Sequence, residues 1–284
     1  MNNTNFTDKA LLNALHEDIG NGDVTTSSLI PVNHVSNAVI IAKGNFIVAG
    51  LPFAERVFQL MDTGVEFKTL KKDGSRVKPK DVIAKVSGRT QALLMAERTA
   101  LNLMQRLSGI ATLTDKYVRQ VKGIAVKIVD TRKTAPGLRY FDKYAVRTGG
   151  GHNHRYGLFD GVLIKDNHIA AAGGVRKAVN AARSHVHQLM KIEVEVKDIR
   201  EAREAVSAGA DIIMLDNMNI AVMKKAVEVI RSRNSRIVIE ASGNVTPENV
   251  CSISETGVDI ISVGALTHSA PAADISFKIS QARR

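Results

Sequence analysis

Six short apolar runs, most of them separated by helical stretches, constrain the fold more than any other feature of this chain. The runs are residues 126–129, 162–164, 192–196, 212–215, 237–239 and 260–263. Alternation of strands and helices predicts parallel strands joined by right-handed crossovers. A doubly wound sheet and an α/β barrel both satisfy this pattern.

The residues that end these runs favour the barrel. The runs close with Asp130, Lys165, Glu195, Asp216, Glu240 followed by Ser242, and Gly264. In an α/β barrel the carboxyl ends of all strands meet at one mouth, which holds the active site. An open doubly wound sheet would gather its polar ends at one switch point. We therefore predict a parallel α/β barrel, and an incomplete one because only six strands are evident.

The chain before residue 124 has a different pattern. It contains an amphipathic helix and a turn within residues 5–30, short alternating runs between 35 and 90 around a helix at about 52–62, and a long helix at about 90–121. These features predict an α+β domain. Arg98 and Arg106 lie in the long helix, and both are expected to face solvent.

Residues 130–168 concentrate positive charge among glycines. This segment holds seven Lys or Arg, four Asp and three His, in a chain whose net charge is +11. A solvated helix face would alternate in sign and would lack the glycine triplet at 149–151. Nucleic acid is disfavoured as the partner because the chain has no Trp, 4% aromatic residues and no basic tract. We therefore predict a pocket for a small ligand with several negative charges.

Two glycine-containing turns follow late strands. Residues 242–244 (Ser-Gly-Asn) precede Thr246 and Pro247, which we place as the N-cap and first residue of a helix. Residues 262–266 end the next strand in the same way. Such a turn presents free N–H groups to an anion, and many barrels bind phosphate after their last strands. The pair predicts a phosphate site, with two ordinary tight turns as the alternative.

Carboxylates end two neighbouring strands, at Glu195 and Asp216. Glu193 and Glu195 alternate with the apolar residues of the run 192–196, so both glutamates should lie on the same face of their strand. Burying carboxylates requires a partner. Pairing with Lys or Arg is one explanation, and holding Mg²⁺ on a pyrophosphate is another. The two explanations are compatible.

Lys165 leaves two chemistries open. A lysine at the end of a barrel strand can form a Schiff base, as in aldolase-type lyases. Neighbouring carboxylates favour its charged form, whereas nearby Arg and His oppose it. His154 and His168 can serve as general acids or bases, or simply as donors in a cationic pocket.

The single cysteine, Cys251, excludes an internal disulfide framework and suits a reducing compartment. The N-terminus lacks the pattern of a signal peptide, and no apolar stretch reaches the ~20 residues that span a bilayer. We expect a cytoplasmic protein.

At these motifs the chain closely resembles the quinolinate phosphoribosyltransferases, the carboxylating nicotinate-nucleotide pyrophosphorylases of NAD synthesis. The stretches that carry the resemblance are 17–26, 97–99, 107–111, 130–139, 144–155, 163–169, 193–196, 212–217, 242–245 and 262–266. The resemblance implies an N-terminal α/β sandwich domain at 1–112 that covers the active site of a partner subunit. It also implies an incomplete α/β barrel at 113–267 and a C-terminal segment, 268–284, that can return to the N-terminal domain.

The resemblance further implies a reaction and its site. Phosphoribosyl is transferred from phosphoribosyl pyrophosphate to quinolinate with decarboxylation, giving nicotinate mononucleotide, pyrophosphate and CO2, in a homodimer or hexamer that uses Mg²⁺. Lys165, Glu195 and Asp216 are implied to take part in catalysis, and Glu195 and Asp216 to serve the ribose and the metal. The implied substrate-binding residues are Arg98 from the partner subunit, Arg132, Lys133, His154, Arg155 and Lys165. The implied phosphate-binding residues are Ser242, Gly243, Asn244, Gly264 and Ala265.

Other functions remain open at this point. A related phosphoribosyltransferase could act on nicotinate or another small acid, which would need fewer cations. A barrel lyase that forms a Schiff base at Lys165 belongs to a different enzyme class. A non-catalytic anion-binding protein is the simplest alternative.

Overall fold

The computed structural model describes residues 3–280, with side chains from Thr7 onward. These residues form two compact units. The first unit comprises the described chain up to Leu113, residues 135–149 and the C-terminal part from Ser269. The second unit comprises Thr114–Thr134 and Gly150–His268. Segment 135–149, which the sequence-based division placed inside the barrel domain, is thus grouped with the first unit.

The helices and strands are numbered in chain order. The helices are α1 (Asn3–Ile19), α2 (Val24–Leu29), α3 (Leu51–Met61), α4 (Thr90–Gln120), α5 (Arg139–Thr148), α6 (Asp166–Ala172), α7 (Val175–His185), α8 (Ile199–Ser207), α9 (Ile220–Arg233), α10 (Val250–Ser254) and α11 (Ala265–His268). The strands are β1 (Val35–Ala42), β2 (Phe46–Ile47), β3 (Glu66–Thr69), β4 (Arg76–Val77), β5 (Val82–Arg89), β6 (Lys127–Val129), β7 (Val162–Ile164), β8 (Ile192–Val196), β9 (Ile212–Asp216), β10 (Val238–Ser242), β11 (Ile260–Ser262) and β12 (Ile275–Ser280). Among the residues that the structure describes, none of the helices has the length and apolar character needed to span a membrane.

The first unit is an antiparallel sheet with helices, as the predicted α+β domain requires. Its strand order is β12-β1-β5-β3, and β2 pairs separately with β4. Alternate residues of β1 are buried because successive side chains point to opposite faces of a strand. Phe58 of α3 stacks on Phe277 of β12, with ring centroids 5.8 Å apart. The hydrophobic core of this unit therefore includes the C-terminal strand.

The turn predicted near the N-terminus is confirmed. Helix α1 ends at Ile19, and Gly20 and Gly22 then adopt positive φ angles. Asp23 caps α2, its side chain accepting a hydrogen bond from the N–H of Thr26 at 2.9 Å. Asp23 therefore begins α2 directly after this turn.

The expectation that Arg106 faces solvent is wrong. Its guanidinium donates two hydrogen bonds, of 2.8 and 2.7 Å, to the carboxylate of Asp142 in α5. Asp142 is fully buried, and a buried carboxylate needs such a partner. It also accepts from the N–H of Ala135 at 3.1 Å. Arg106 therefore anchors segment 135–149 within the first unit, whereas the side chain of Arg98 is 57% exposed, as expected.

The second unit contains six parallel strands in the order β6-β11-β10-β9-β8-β7. Helices α6 to α10 lie between successive strands along the chain from β7 to β11. Hydrogen bonding between β6 and β7 does not close the sheet in the described residues, and His152 instead makes an isolated parallel bridge to Val129 of β6. This arrangement confirms the predicted incomplete α/β barrel.

The predicted helix start at Thr246 and Pro247 is wrong. Helix α10 begins at Val250, with Asn249 as its N-cap residue. The side chain of Asn249 accepts from the N–H of Thr246 at 2.8 Å and donates to the carbonyl of Asn244 at 3.0 Å. The carbonyl of Thr246 accepts from the N–H of Val250 at 3.0 Å, so residues 246–249 form a single turn that leads into α10.

The cationic segment 130–168 is divided between the two units. Arg139, Lys143 and Arg147 lie in α5, which belongs to the first unit, and Lys143 is buried. The other four cations of the segment belong to the second unit: Arg132, Lys133, Arg155 and Lys165.

Candidate active site

The residues that the sequence assigned to substrate, phosphate and metal all lie in the second unit, with Arg98 as the exception. They belong to the carboxyl ends of the parallel strands or to the segments that follow or precede them. Register places Asp216, Ser242 and Ser262 side by side on three adjacent strands. The polar strand ends read from the sequence therefore occupy one edge of one sheet.

Lys165 and Glu195 form an ion pair at this edge. Lys165 directly follows β7, and its Nζ lies 2.9 Å from Oε2 of Glu195 in β8. The Glu195 side chain is 14% exposed and that of Lys165 is 49% exposed. The N–H of Lys165 donates to Nδ1 of His168 at 2.9 Å, so His168 closes the start of α6. This geometry holds the ammonium group of Lys165 toward a carboxylate, whereas a Schiff-base lysine must become neutral.

The side chain of Asn217 packs closely against Gly243. A Cβ atom at Gly243 would lie 2.2 Å from Oδ1 of Asn217, and the φ angle of Gly243 is +93°. Asn217 and Asn244 also have positive φ angles, of 52° and 48°. The Asn244 side chain donates to Asn217 Oδ1 at 3.0 Å, and Asn217 donates to Asp216 Oδ2 at 3.0 Å. Asn217 thus links the ends of β9 and β10.

Lys133 lies against the other glycine turn. A Cβ atom at Gly264 would lie 3.0 Å from Cδ of Lys133 and 3.2 Å from Nε2 of His268. The hydroxyl of Thr267 donates to the carbonyl of Lys133 at 2.8 Å. The structure therefore places Lys133, one of the implied substrate-binding residues, beside the implied phosphate-binding turn at Gly264 and Ala265.

His154 lies between two buried carboxylates. Its Nε2 is 3.2 Å from Oε2 of Glu193 in β8 and 3.5 Å from Oε2 of Glu240 in β10. Glu193 and Glu240 are 4% and 1% exposed. The N–H of Arg155 donates to Nδ1 of His154 at 2.8 Å. These three side chains also have the composition and spacing of a possible three-ligand metal group.

The protonation of this cluster follows from its hydrogen bonds. Burial lowers the pKa of His154, but the hydrogen bonds to Glu193 and Glu240 outweigh it and raise this pKa to about 10. A doubly protonated ring, however, has no lone pair on Nδ1 with which to accept from Arg155. Burial also raises the pKa of Glu193. Because Nδ1 accepts the N–H of Arg155, we assign the ring proton of His154 to Nε2, which faces the two carboxylates.

The guanidinium of Arg155 is held by a backbone carbonyl. Its Nη1 donates to the carbonyl of Gly161 at 2.8 Å. Burial and the charge of Arg132 lower the pKa of Arg155. Two guanidinium groups that influence each other in this way favour an anionic ligand, which relieves their repulsion. Arg132 and Arg155 are two of the substrate-binding residues that the family resemblance implies.

Two residues that position the site were missed by the sequence analysis. Asn217 follows β9 directly. The feature that marks it is its left-handed backbone conformation, which can be seen only in the structure. The fully buried Asp130 was read only as a strand end. It accepts from Asn153 Nδ2 at 2.6 Å and from the N–H of His154 at 2.9 Å.

Comparison with known proteins covers most of the chain. The profile of the quinolinate phosphoribosyl transferase N-terminal domain matches residues 23–108, and that of the C-terminal domain matches residues 110–278. A probable nicotinate-nucleotide pyrophosphorylase (carboxylating) of Synechocystis is 48% identical over 265 residues, which is 93% of this chain and 90% of that relative. One from Bacillus subtilis is 45% identical over 273 residues, covering 96% and 93% of the two chains.

Solved structures agree with these relatives. The crystal structure of NadC from Streptococcus pyogenes superposes with a TM-score of 0.92 at 41% sequence identity, covering 96% of each chain. Both the sequence profiles and the fold thus match along nearly the whole described length. The chain belongs to the quinolinate phosphoribosyl transferase family.

Proposed function

We propose that this chain transfers the phosphoribosyl group of phosphoribosyl pyrophosphate to quinolinate and decarboxylates the product to nicotinate mononucleotide. The observation that carries the proposal is the edge of the parallel sheet in the second unit. The strands of this one sheet and the segments that flank them supply the Lys165–Glu195 ion pair, the guanidinium groups of Arg132 and Arg155, and the glycine turn at Gly243. The family membership of the chain supports the same reaction.

The cations suit quinolinate because it is a dianion. Arg132 and Arg155 can each donate two parallel hydrogen bonds to a carboxylate. Lys165 supplies a further positive charge near the reacting centre. A lone carboxylate, as in nicotinate, would leave part of this charge uncompensated, and uncompensated cations in a half-buried site are unfavourable.

The carboxylate of Glu195 suits the transition state of the transfer. As the bond from the anomeric carbon to pyrophosphate breaks, positive charge develops on the ribose ring. A fixed carboxylate stabilises that charge without reorganisation. The pyridine nitrogen of quinolinate then forms the new bond to the anomeric carbon. The resulting cationic ring accepts the electron pair released when the adjacent carboxylate leaves as CO2, and a proton takes its place.

The 5′-phosphate of the donor would lie at the two glycine turns. Helices α10 and α11 are only five and four residues long, so their dipoles contribute little. Backbone N–H groups of residues 242–244 and 264–265 are instead the donors that we assign to the phosphate. Lys133, held beside Gly264, adds a positive charge.

Mg²⁺ fits the carboxylates at this edge. Glu195 and Asp216 offer oxygen ligands, which Mg²⁺ prefers, and this ion usually retains several waters when bound to phosphates. We assign these two residues to the metal and the ribose hydroxyls of the donor. When bound, the ion would neutralise the departing pyrophosphate.

We also propose that two subunits share each active site. Arg98 lies in α4 of the first unit, with more than half of its side chain exposed. Exposure leaves its guanidinium available to a neighbouring subunit, and the family resemblance assigns it to substrate binding there. A homodimer is the smallest assembly that satisfies this arrangement.

A substrate assay tests the proposed function. The purified protein is incubated with phosphoribosyl pyrophosphate and quinolinate, with and without Mg²⁺, and the release of pyrophosphate and nicotinate mononucleotide is measured. Nicotinate replaces quinolinate in a parallel reaction. We expect Mg²⁺-dependent product only with quinolinate. Turnover of nicotinate alone, or borohydride trapping of a carbonyl substrate on Lys165, would refute the proposal.

A further inference from the structure

We propose that Glu193 and Glu240 are positioning residues for the quinolinate subsite, and that they act on Arg155 through the ring of His154. This inference rests on the proposed function, because Arg155 is assigned there to a carboxylate of quinolinate. It adds two residues to which neither the sequence motifs nor the family resemblance gave a role in that subsite.

A continuous set of hydrogen bonds connects the sheet to Arg155. Oε2 atoms of Glu193 and Glu240 lie 3.2 and 3.5 Å from Nε2 of His154. On the opposite side of the ring, Nδ1 accepts the N–H of Arg155 at 2.8 Å. The ring therefore transmits the position of two strands, β8 and β10, to the backbone of Arg155.

A second carboxylate contact fixes the same segment from β6. Asp130, which follows that strand, accepts from the side chain of Asn153 at 2.6 Å and from the N–H of His154 at 2.9 Å. The guanidinium of Arg155 is held at its other end by the carbonyl of Gly161 at 2.8 Å. Residues 153–155 are thus held by carboxylates from the ends or interiors of three strands.

Stability alone does not explain the carboxylate pair. Glu193 and Glu240 are almost completely buried, and Oε1 of each has no hydrogen-bond partner in the described residues. Apolar residues of similar size commonly stabilise a fold as well as buried charges do, or better. The arrangement is better explained by orientation, because binding groups must be held near their productive geometry by supporting hydrogen bonds.

The contacts also give His154 a positioning role. The family resemblance implies that His154 contacts quinolinate, and in the structure Nε2 faces the two carboxylates while Nδ1 accepts from Arg155. Its side chain is 15% exposed. His154 thus connects the carboxylates to Arg155, in addition to the substrate contact that the resemblance implies.

The test separates positioning from a general structural role. Glu193→Leu removes an acceptor while nearly preserving volume. We expect it to raise the KM for quinolinate about tenfold, the scale of a lost hydrogen bond in a buried site, with the KM for phosphoribosyl pyrophosphate unchanged. Glu193→Gln retains a neutral acceptor and should stay within about threefold of wild type. In an Arg155→Ala background, Glu193→Leu should add less than about twofold, because residues that act through one another are not additive.

Glu201→Leu is the matched control. Glu201 is also a buried glutamate of the second unit, but it accepts the N–H of Lys197 at the start of α8. Its replacement should leave both KM values unchanged. If Glu193→Leu does not fold, His154→Phe, which keeps the ring volume, replaces it with the same expected selectivity.

Three results would overturn the inference. The first is an equal rise of both KM values in Glu193→Leu. The second is full additivity of Glu193→Leu with Arg155→Ala. The third is stoichiometric metal in the purified wild-type protein that is lost from Glu193→Leu, since the cluster would then be a metal site. A wild-type protein that neither binds nor turns over quinolinate would refute the proposed function itself, and this inference with it.

Discussion

Gly243→Ala tests the close packing at the proposed phosphate turn. The added Cβ would lie 2.2 Å from Oδ1 and 2.4 Å from Cγ of Asn217, far inside normal contact distances. The substitution has two costs. The φ angle of +93° is unfavourable for alanine by about 1–2 kcal/mol, and the overlap adds about 1–3 kcal/mol. We expect a total loss of about 2–5 kcal/mol in the free energy of unfolding.

Gly209→Ala separates the two costs. Gly209 also belongs to the second unit and has a φ angle of +80°, but a Cβ there meets nothing within 4 Å. This control should therefore lose only the ~1–2 kcal/mol of the backbone term. Both variants are compared with wild type by urea unfolding, and the KM for phosphoribosyl pyrophosphate is measured at a temperature where all are folded. Only Gly243→Ala should raise that KM.

A second substitution provides a further check. Replacing Asn217 by glycine removes the overlapping atoms and tolerates the positive φ angle of that position. Asn217→Gly should therefore recover part of the stability that Gly243→Ala loses. If Gly243→Ala were no more destabilising than Gly209→Ala, and donor binding were unchanged, the packing argument would be refuted.

Three further predictions concern Arg155, the subunit arrangement and acid stability. Arg155→Ala should lower kcat/KM for quinolinate by about 30-fold, or ~2 kcal/mol, and an unchanged value in a folded variant would contradict its assignment. Mixed Arg98→Ala and Lys165→Ala subunits should regain about a quarter of wild-type activity after exchange, and no recovery despite exchange would place Arg98 outside the partner's site. Hydrogen bonds from Arg56 lower the pKa of Asp8 from its usual value of 3.8. Wild type should therefore have a larger free energy of unfolding than Asp8→Asn above pH 3.8, and this difference should disappear as the pH falls through the lowered pKa. Urea unfolding at several pH values measures this difference, which would be constant if the pair contributed nothing.

Local sequence patterns predicted the strands and their polar ends, but long-range partners had to come from the structure. The alternation of apolar runs and helices depends on neighbouring residues, so it can be read directly. Arg106 could not be placed in this way, because its partner Asp142 is 36 residues away. Near residue 246 the sequence offers Thr246 as the residue that precedes the helix, and only the structure shows that α10 begins at Val250 and that the Asn249 side chain bonds back to the N–H of Thr246. For Glu193 the alternation of residues 192–196 indicated the strand face, whereas the ring of His154 that it contacts comes from another segment.

The pairing of β12 with β1 has a consequence for synthesis of the chain. Ser280 donates from its hydroxyl to the carbonyl of Asn37, 243 residues earlier. Until residues 275–280 leave the ribosome, one edge of β1 exposes unpaired backbone groups, and such edges promote association between chains. The first unit therefore cannot complete its sheet until β12 has been made, although its own N-terminal helices and β5 are made early. A nascent chain of this protein is expected to depend on protection by chaperones until β12 is available.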